Sequence, residues 1–434
     1  MFLAVLLAAA CGQSSAFAAG NDSYITAKGF PKSYLTRLAK LHEQHPNWRF
    51  TPQKTGIDWN TAVSAMLRKT GTNTIWYSAA PSYKSVRKGA FHYLTGAYSG
   101  GSFPAASKRA VKYYMDPRNF LNEQGIFMFE NKSYSRFHTK SMIEKITAAN
   151  KVLKSNASAF LDTSKELDIS SVYLAVKSVQ EIGTSTRMVD GHAFTYGGVR
   201  YSKCYNTYNI GSSDSAGVLG GLLYANGGTS KKNYTAGASK TYGRKWNSVP
   251  KAIRGGAMYL RASFIDRGQD TSYLEHFNVM NGKSAVGSHI YMSYVAGPYQ
   301  IAAGESKKYK EHGIFGKSME FKIPVYKNMP EKACTAPSSS IKKDNNYYLK
   351  TLTVKHDQKV TLIGSAKLSY QTAFTVKAPS SAEKVTIAAA PASKTGAAVA
   401  GTGTFDLLPG VNRFVVQVKA SSGVKRNYTV TVTR

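Results

Sequence analysis

The sequence is short of acidic residues. Its 434 residues include 24 Asp and Glu against 57 Lys and Arg, which gives a formal net charge of +33 and an isoelectric point near 9.9. A chain with this imbalance is attracted to polyanions and repelled by basic partners. Because the positive charge is spread along the chain instead of gathered into a Lys/Arg run, the pattern predicts no nucleic-acid partner.

Cysteine is also scarce. The three residues of this type are Cys11, Cys204 and Cys334. Cys11 falls in an N-terminal segment that we expect to be removed, and the other two have the option of pairing in an oxidising compartment. One bridge does not hold together a chain of this length, so the sequence excludes a disulfide-framework protein.

Long apolar runs are absent after the N terminus. Residues 1–19 carry no charge, open with the apolar run 2–10, and contain Ala16-Phe17-Ala18, which resembles a signal-peptidase site. We predict a cleaved signal peptide over residues 1–19, with a lipid anchor on Cys11 as the alternative. No later segment reaches the roughly 18 apolar residues that cross a bilayer, so we expect a secreted protein without stable membrane insertion.

Motifs for metal, cofactor or nucleophile chemistry are missing as well. The segment His42-Glu43-Gln44-His45 is one residue short of the His-Glu-x-x-His spacing, so its two imidazoles do not fall at i and i+4. No phosphate-binding glycine loop follows a strand, and no Gly-x-Ser-x-Gly elbow is present. We therefore expect neither a metal nor a cofactor.

The pattern of the sequence changes near residues 330–345, which are rich in Pro and Ser. Upstream, apolar residues recur with helical spacing, and the predicted helices span 31–45, 58–69, 105–115, 141–153, 168–182 and 249–265. The glycines and aromatics of residues 183–205 predict a loop or a short hairpin.

Downstream of the Pro- and Ser-rich residues, apolar residues recur with a period of two, which predicts a small antiparallel β-sandwich. The predicted organisation is multi-domain: a mainly α (α+β) region over 20–335, a linker over 336–346 and an all-β sandwich over 347–434.

One carboxylate ends an otherwise apolar helix. Residues 172, 175, 176, 179 and 182 form a predicted buried stripe, with Glu181 beside it and Gly183 as the stop signal. Apolar neighbours and the negative end of the helix dipole both disfavour an ionised carboxylate. Glu181 is therefore a candidate general acid, and a solvated helix-end Glu is the alternative.

Five blocks in order carry a resemblance to a known family. They are Tyr113–Glu123, Gln180–Gly183, Tyr205–Gly211, the Gly255–Leu274 and Gly287–Met292 pair, and Ile323–Pro330. The span from about Gly29 to Pro330 resembles the glucosaminidase domain of glycoside hydrolase family 73, and the tail from Tyr347 to Arg434 resembles a cadherin-like β-sandwich. The resemblance implies a lysozyme-like fold for the first region.

The resemblance also implies an activity. Members of the family are endo-β-N-acetylglucosaminidases that cleave peptidoglycan between N-acetylglucosamine and N-acetylmuramic acid, and Glu181 matches their general acid. The implied partners are peptidoglycan glycan strands and, given the net charge, anionic wall polymers such as teichoic acid. The implied location is the cell wall, outside the cell.

The second catalytic group is left open by the sequence. Several family members use a second Glu after the helix, whereas this chain has only Asp190 before Tyr205, and Asp214 follows later. Either aspartate is a candidate base, and both also suit turns. A third route uses the acetamido oxygen of the substrate, held by Tyr205 or Tyr208. Retention and inversion of configuration are not separated without a carboxylate distance.

Aromatic and amide side chains in the matching blocks are candidates for sugar binding, because rings stack on pyranose faces and amides bond acetamido groups. The candidates are Tyr205, Asn206, Tyr208, His289 and Tyr291. Ordinary packing is the alternative for Tyr208, and a structural histidine is the alternative for His289.

Three other functions remain open. A lysozyme-like frame equally supports an N-acetylmuramidase or a lytic transglycosylase. The missing second Glu, together with Ser212-Ser213 where relatives often have Ala, leaves open a catalytically inactive wall-binding protein.

Overall fold

The fold is known from a computed structural model. It describes residues 24–26, 28–68, 70–76, 79, 81–85, 91–92, 103–212, 217–228, 241–338, 346–364, 367–368, 371–393, 396–421, 423 and 425–434. The predicted signal peptide, Asp214 and most of the predicted linker lie outside these residues. The chain divides into two compact units. The helical unit comprises residues 1–66, 114–292 and 296–334, and the C-terminal unit comprises residues 67–113, 293–295 and 335–434.

The helices are Lys32–Gln44 (α1), Trp59–Met66 (α2), Lys108–Met115 (α3), Lys140–Ile146 (α4), Lys151–Ser155 (α5), Ala157–Leu167 (α6), Ser171–Ile182 (α7), Gly217–Ala225 (α8), Val249–Ser263 (α9), Ser272–Phe277 (α10) and Gly297–Glu311 (α11). The strands are Trp48–Asp58 (β1), Phe91–His92 (β2), Phe103–Pro104 (β3), Phe194–Tyr196 (β4), Val199–Tyr201 (β5), Met319–Lys327 (β6), Leu349–His356 (β7), Lys359–Gly364 (β8), Ala373–Lys377 (β9), Lys384–Pro391 (β10), Ala398–Ala400 (β11), Gly403–Asp406 (β12), Val411–Lys419 (β13) and Lys425–Thr433 (β14).

Five of the six predicted helices are present as single elements, with one or both ends shifted. The helix predicted over 141–153 is wrong as one element, because it is divided into α4 and α5. The Asn150 side chain accepts hydrogen bonds from the N–H groups of Val152 and Leu153, both at 3.2 Å, and so begins a second helix. The hairpin predicted between 183 and 205 is confirmed as β4 and β5.

The helical unit is held by a parallel strand pair and an aromatic core. In the β1–β6 ladder, Trp48 pairs with Met319 and Phe50 pairs with Phe321. The Trp48 ring lies 5.0 Å from the Phe321 ring and 5.8 Å from the Phe127 ring, between centroids. Burial of each such side chain stabilises the fold by roughly 1.5–3 kcal/mol. This core therefore holds β1, near the start of the helical unit, against β6, near its end.

The C-terminal unit contains two four-stranded sheets, in the orders β12-β10-β7-β8 and β11-β13-β14-β9. Their shared core consists of alternating apolar residues from both sheets, including Leu352, Val354, Val416 and Val430. The predicted all-β region is thereby confirmed. The prediction of a purely antiparallel arrangement is wrong at one place, because β9 pairs parallel with β14.

Within the described part of the chain, no helix is long and apolar enough to span a bilayer.

Candidate active site

Glu181 lies on the last turn of α7, the helix that the sequence singled out. The Ser170 hydroxyl begins α7 by accepting the N–H of Tyr173 at 3.2 Å. The helix ends at Gly183, whose φ of 53° favours glycine, as predicted. Tyr173, Lys177 and Glu181 are spaced four residues apart, so they share one face of the helix.

The phenol of Tyr291 holds the Glu181 carboxyl. Its hydroxyl donates a hydrogen bond to Glu181 Oε1, whereas no described residue bonds Oε2. Burial raises the pKa of Tyr291 well above its ordinary value, and the Glu181 charge raises it further, so the phenol stays protonated and donates. One carboxyl oxygen is thus fixed and the other is open to exchange a proton with a ligand.

A buried ion pair between Lys177 and Glu275 contacts the ring and the backbone of Tyr291. The Lys177 ammonium lies 2.9 Å from the centroid of the Tyr291 ring and donates to Glu275 Oε2 at 2.7 Å. Glu275 Oε1 accepts the Tyr173 hydroxyl at 2.5 Å, and the Glu275 backbone carbonyl accepts the N–H of Tyr291 at 2.9 Å. Lys177, Glu275 and Tyr173 are each no more than 2% exposed. Both carboxylate oxygens of Glu275 are therefore bonded, and its backbone carbonyl holds the Tyr291 segment.

Burial lowers the pKa of the Lys177 ammonium. The Glu275 carboxylate opposes this effect through its charge and its hydrogen bond. A buried ion pair gains little over apolar packing of the same shape, but loss of one partner leaves the other charge buried and uncompensated. The pair therefore fixes Tyr291 in place only while it is complete.

Asp190 lies in the loop after α7 and is exposed. Its Oδ1 accepts the backbone N–H of His192 at 3.0 Å and contacts the His192 ring nitrogen Nδ1 at 2.5 Å. Partial burial acts to raise the pKa of Asp190, but these two hydrogen bonds outweigh it and hold the pKa below its ordinary value. Asp190 is therefore an ionised carboxylate, which suits a base.

Tyr205 is brought against the same loop. A Cβ atom on Gly191 would lie 2.3 Å from the Tyr205 hydroxyl, so the bare glycine, at a φ of 68°, makes room for the phenol. The N–H of Lys203 donates to the Gly191 carbonyl at 3.0 Å and ties the two segments together. Tyr205 and the turn that contains Asp190 are therefore neighbours.

Asn206 holds the backbone of its own loop. The completely buried side chain donates to the carbonyls of Ile210 at 2.8 Å and Gly221 at 2.9 Å. Its Oδ1 accepts the N–H groups of Tyr208 and Ile210 at 3.3 and 3.2 Å. Both donors and both lone pairs of the amide are in use. The structure assigns Asn206 a loop-forming task, and its contact with sugar stays a prediction.

Tyr208 and His289 have structural contacts of their own. Tyr208 is buried against Gly256, where a Cβ would lie 2.0 Å from the ring, and no described residue bonds its hydroxyl. His289 is exposed, and its Nε2 donates to the Ser263 carbonyl at 2.6 Å. Neither is in hydrogen-bond contact with Glu181 in the described structure, so their sugar-binding roles also stay predictions.

The described residues contain no group of three or more His, Cys, Asp and Glu side chains placed to hold a metal ion. No disulfide joins Cys204 and Cys334 in the described structure, so the option of a bridge between them is not taken.

The sequence reading missed Lys177, Glu275 and Tyr173. Lys177 interrupts the apolar run Val172–Val179 on the inner side of α7, and a lysine in such a position signals a buried partner. That signal was available, but the identity of its partner was not, since Glu275 lies 98 residues further along the chain.

Part of this chain is similar in sequence to known bacterial proteins. No family model matches the chain. The chain is 26% identical over 230 residues to a bifunctional autolysin of Staphylococcus epidermidis, covering 51% of this chain and 15% of that protein. It is 27% identical over 229 residues to a β-N-acetylglucosaminidase of Bacillus subtilis, covering 51% of this chain and 23% of the relative. The chain therefore spans less than a quarter of the length of either relative.

Among solved structures, S. aureus glucosaminidase B aligns at 21% identity and a TM-score of 0.45, covering 64% of this chain and 94% of that one. S. aureus autolysin E aligns at 19% identity and a TM-score of 0.43, covering 63% and 97%.

About half of this chain is similar in sequence to bacterial autolysins and to a β-N-acetylglucosaminidase. These matches confirm the resemblance to glucosaminidases that the sequence predicted.

Proposed function

We propose that this protein is a peptidoglycan hydrolase, an endo-β-N-acetylglucosaminidase that cleaves the β-1,4 bond between N-acetylglucosamine and N-acetylmuramic acid. The observation that carries the proposal is the Glu181 carboxyl, bonded through one oxygen to Tyr291 and open at the other. The names of the relatives support the same activity. Peptidoglycan glycan strands are the substrate in this proposal, and the wall outside the cell is its place of action.

The chemistry follows from the two oxygens of Glu181. Cleavage requires a proton on the leaving glycosidic oxygen while positive charge grows at the anomeric carbon. Tyr291 orients the carboxyl so that the unbonded oxygen delivers that proton. Asp190 is our candidate for the second group, because it is ionised at neutral pH and belongs to the loop that leaves α7. Asp214 and the substrate's own acetamido oxygen remain the alternatives for this task.

The bond that is cut tests the proposal. Purified peptidoglycan is digested with the full chain, and the new reducing ends are identified by mass spectrometry after borohydride reduction. We expect reduced N-acetylglucosamine ends. Reduced N-acetylmuramic acid ends would assign an N-acetylmuramidase, anhydro ends would assign a lytic transglycosylase, and no release would assign a wall-binding protein.

Replacement of Tyr291 by Phe is expected to lower kcat by about 10- to 100-fold, because a hydrogen bond to a charged group contributes about 1.5–3 kcal/mol. The KM is expected to change little, since the ring and its contact with Lys177 remain. Steady-state kinetics on solubilised glycan measure both constants. A Tyr291→Phe variant with unchanged kcat would remove Tyr291 from the mechanism; Tyr299→Phe, on a half-buried phenol bonded to Gln124, is the matched control.

Attraction to anionic wall polymers is the second part of the proposal. Residues 341–434 contain 14 Lys and Arg and 4 Asp and Glu, a net charge of +10. Such attraction is non-specific and screened by salt. We expect binding of the full-length Glu181→Gln variant to whole walls to fall steeply as sodium chloride is added, and to resist an equal osmolarity of sucrose. Binding that stays constant across the salt series would contradict the proposed attraction to anionic wall polymers. Equal binding to walls stripped of teichoic acid would contradict it as well.

A further inference from the structure

We infer that the helical unit carries a second ligand site, a cavity for oxyanion groups at the end of α7 opposite Glu181. The cavity measures about 560 Å³, and its lining includes Arg49, Arg136, Glu130 and His138. Cavities of 300–1,000 Å³ hold small organic ligands. The inference does not depend on the proposed hydrolase function.

The cavity is separate from the candidate active site. His138 Nδ1 contacts the hydroxyl of Ser171, the first residue of α7, at 3.1 Å. Glu181 lies ten residues further along the same helix, and a rise of 1.5 Å per residue separates the two ends by about 15 Å. A ligand in the cavity therefore does not touch the Glu181 carboxyl.

Two guanidinium groups give the cavity its preference for anions. Arg49 on β1 and Arg136 are both exposed, and within the described residues neither forms an ion pair. Guanidinium forks bind carboxylate and phosphate oxygens in pairs of hydrogen bonds. One lining carboxylate, Glu320, acts against an anion, although its Oε2 is already engaged by the Asn131 amide at 2.8 Å. Removal of that charge is therefore expected to favour the ligand.

The inner wall of the cavity is built from groups that are neutral at neutral pH. Glu130 and His138 are 6% and 7% exposed, and both contact the Tyr309 hydroxyl, which donates to Glu130 Oε1 at 2.6 Å and lies 3.2 Å from His138 Nε2. Burial raises the pKa of Glu130 to about 8; Lys132 opposes this effect and Glu305 adds to it. Burial lowers the pKa of His138 to about 4, with Lys132 acting in the same direction.

The charge of the Glu130 carboxyl depends on pH and affects the binding of an anion. At a pH well below about 8 the Glu130 carboxyl is protonated and does not repel an anion, whereas at a pH well above about 8 it is ionised and does. The groups that face Glu130 are Lys132, Glu305 and Tyr309, with His138 reached through Tyr309. Lys132 is paired with Glu305 at 3.2 Å, so it does not cancel the charge that Glu130 gains. Binding of an oxyanion is expected to weaken as pH rises through this value.

The test is a calorimetric titration of the full chain with glutarate and with inorganic phosphate at physiological ionic strength. We expect saturable binding that becomes at least about tenfold weaker in the Arg49→Gln/Arg136→Gln variant and about two- to fivefold tighter in Glu320→Gln. The relative affinities of the two probes tell a carboxylate ligand from a phosphate ligand. Because the three side chains are exposed, these variants leave the core intact.

Matched controls separate the cavity from the general charge of the chain. Arg413→Gln removes one such positive charge from an exposed position of the C-terminal unit, and Glu181→Gln alters only the candidate active site; both are expected to bind as the wild type does. With glutarate, which is fully ionised from pH 6.5 to 9.5, binding to the wild type is expected to weaken above about pH 8, and the Glu130→Gln variant to lose that dependence. Binding of neither probe, or equal losses in the Arg49/Arg136 and Arg413 variants, would overturn the inference.

Discussion

Replacement of Glu181 by Gln is expected to reduce peptidoglycan hydrolysis by about 10² to 10⁴-fold, the range that general acids contribute. Glutamine keeps the shape of the side chain and still accepts the Tyr291 hydroxyl, but it has no proton to give to the glycosidic oxygen. The loss is therefore expected in kcat, with binding of the insoluble wall preserved. Loss of turbidity of a wall suspension measures the rate, and co-sedimentation measures binding.

The matched control for this change is Glu166→Gln. Glu166 is an exposed carboxylate near the end of α6, paired with Arg254 at 2.5 Å, so the substitution removes the same charge from the same unit. We expect it to leave hydrolysis unchanged and to alter stability by less than about 1 kcal/mol. If Glu166→Gln and Glu181→Gln lower the rate equally, a loss of charge and not the loss of an acid is responsible.

Replacement of Lys177 by Met is expected to destabilise the helical unit by about 3–5 kcal/mol, because it leaves the buried Glu275 carboxylate without its cation. The Tyr173 hydroxyl remains as a donor, but a neutral donor does not balance the charge. Tyr291 loses the ammonium against its ring in the same step. Chemical denaturation followed by fluorescence measures the free energy of unfolding, and kcat of the folded fraction reports the position of Tyr291.

Two further variants make this prediction specific. Lys140→Met removes an exposed lysine that is paired with Glu144 on α4, and it is expected to cost less than about 1 kcal/mol. Lys177→Met combined with Glu275→Gln removes both charges and is expected to recover most of the lost stability. Stability of Lys177→Met close to that of Lys140→Met would show that the ion pair does not hold the site together.

The parts of the fold that follow local rules were predictable from the sequence. Gly183 ends the helix that carries Glu181, and Ser170 caps its start, so the first helical residue, Ser171, lies three residues after the predicted start. The period of two in the C-terminal region predicted the sheets, because alternate residues of a strand face one core. The parallel pairing of β9 with β14 was not predictable, since strand direction depends on the path between strands.

The surroundings of Glu181 were less predictable than its position. The predicted stripe on α7 placed Val176 and Val179 in the core, but both are only half-buried. The fully buried face instead includes Tyr173 and Lys177, because Lys177 finds its countercharge in Glu275 on α10. Periodicity describes one helix at a time, and a contact across 98 residues of sequence lies beyond it.

The central claim, that Glu181 protonates the leaving oxygen, is tested most directly by changing the leaving group. Aryl β-glycosides of the N-acetylmuramyl-N-acetylglucosamine disaccharide are prepared with phenols of graded acidity, and kcat/KM is measured for wild type and Glu181→Gln. An acidic phenol departs without a proton, so we predict that the defect of Glu181→Gln is large for the poorest leaving group and shrinks toward wild type for dinitrophenol. A defect of the same size for every phenol would contradict the account, because Glu181 would then act on something other than the departing oxygen.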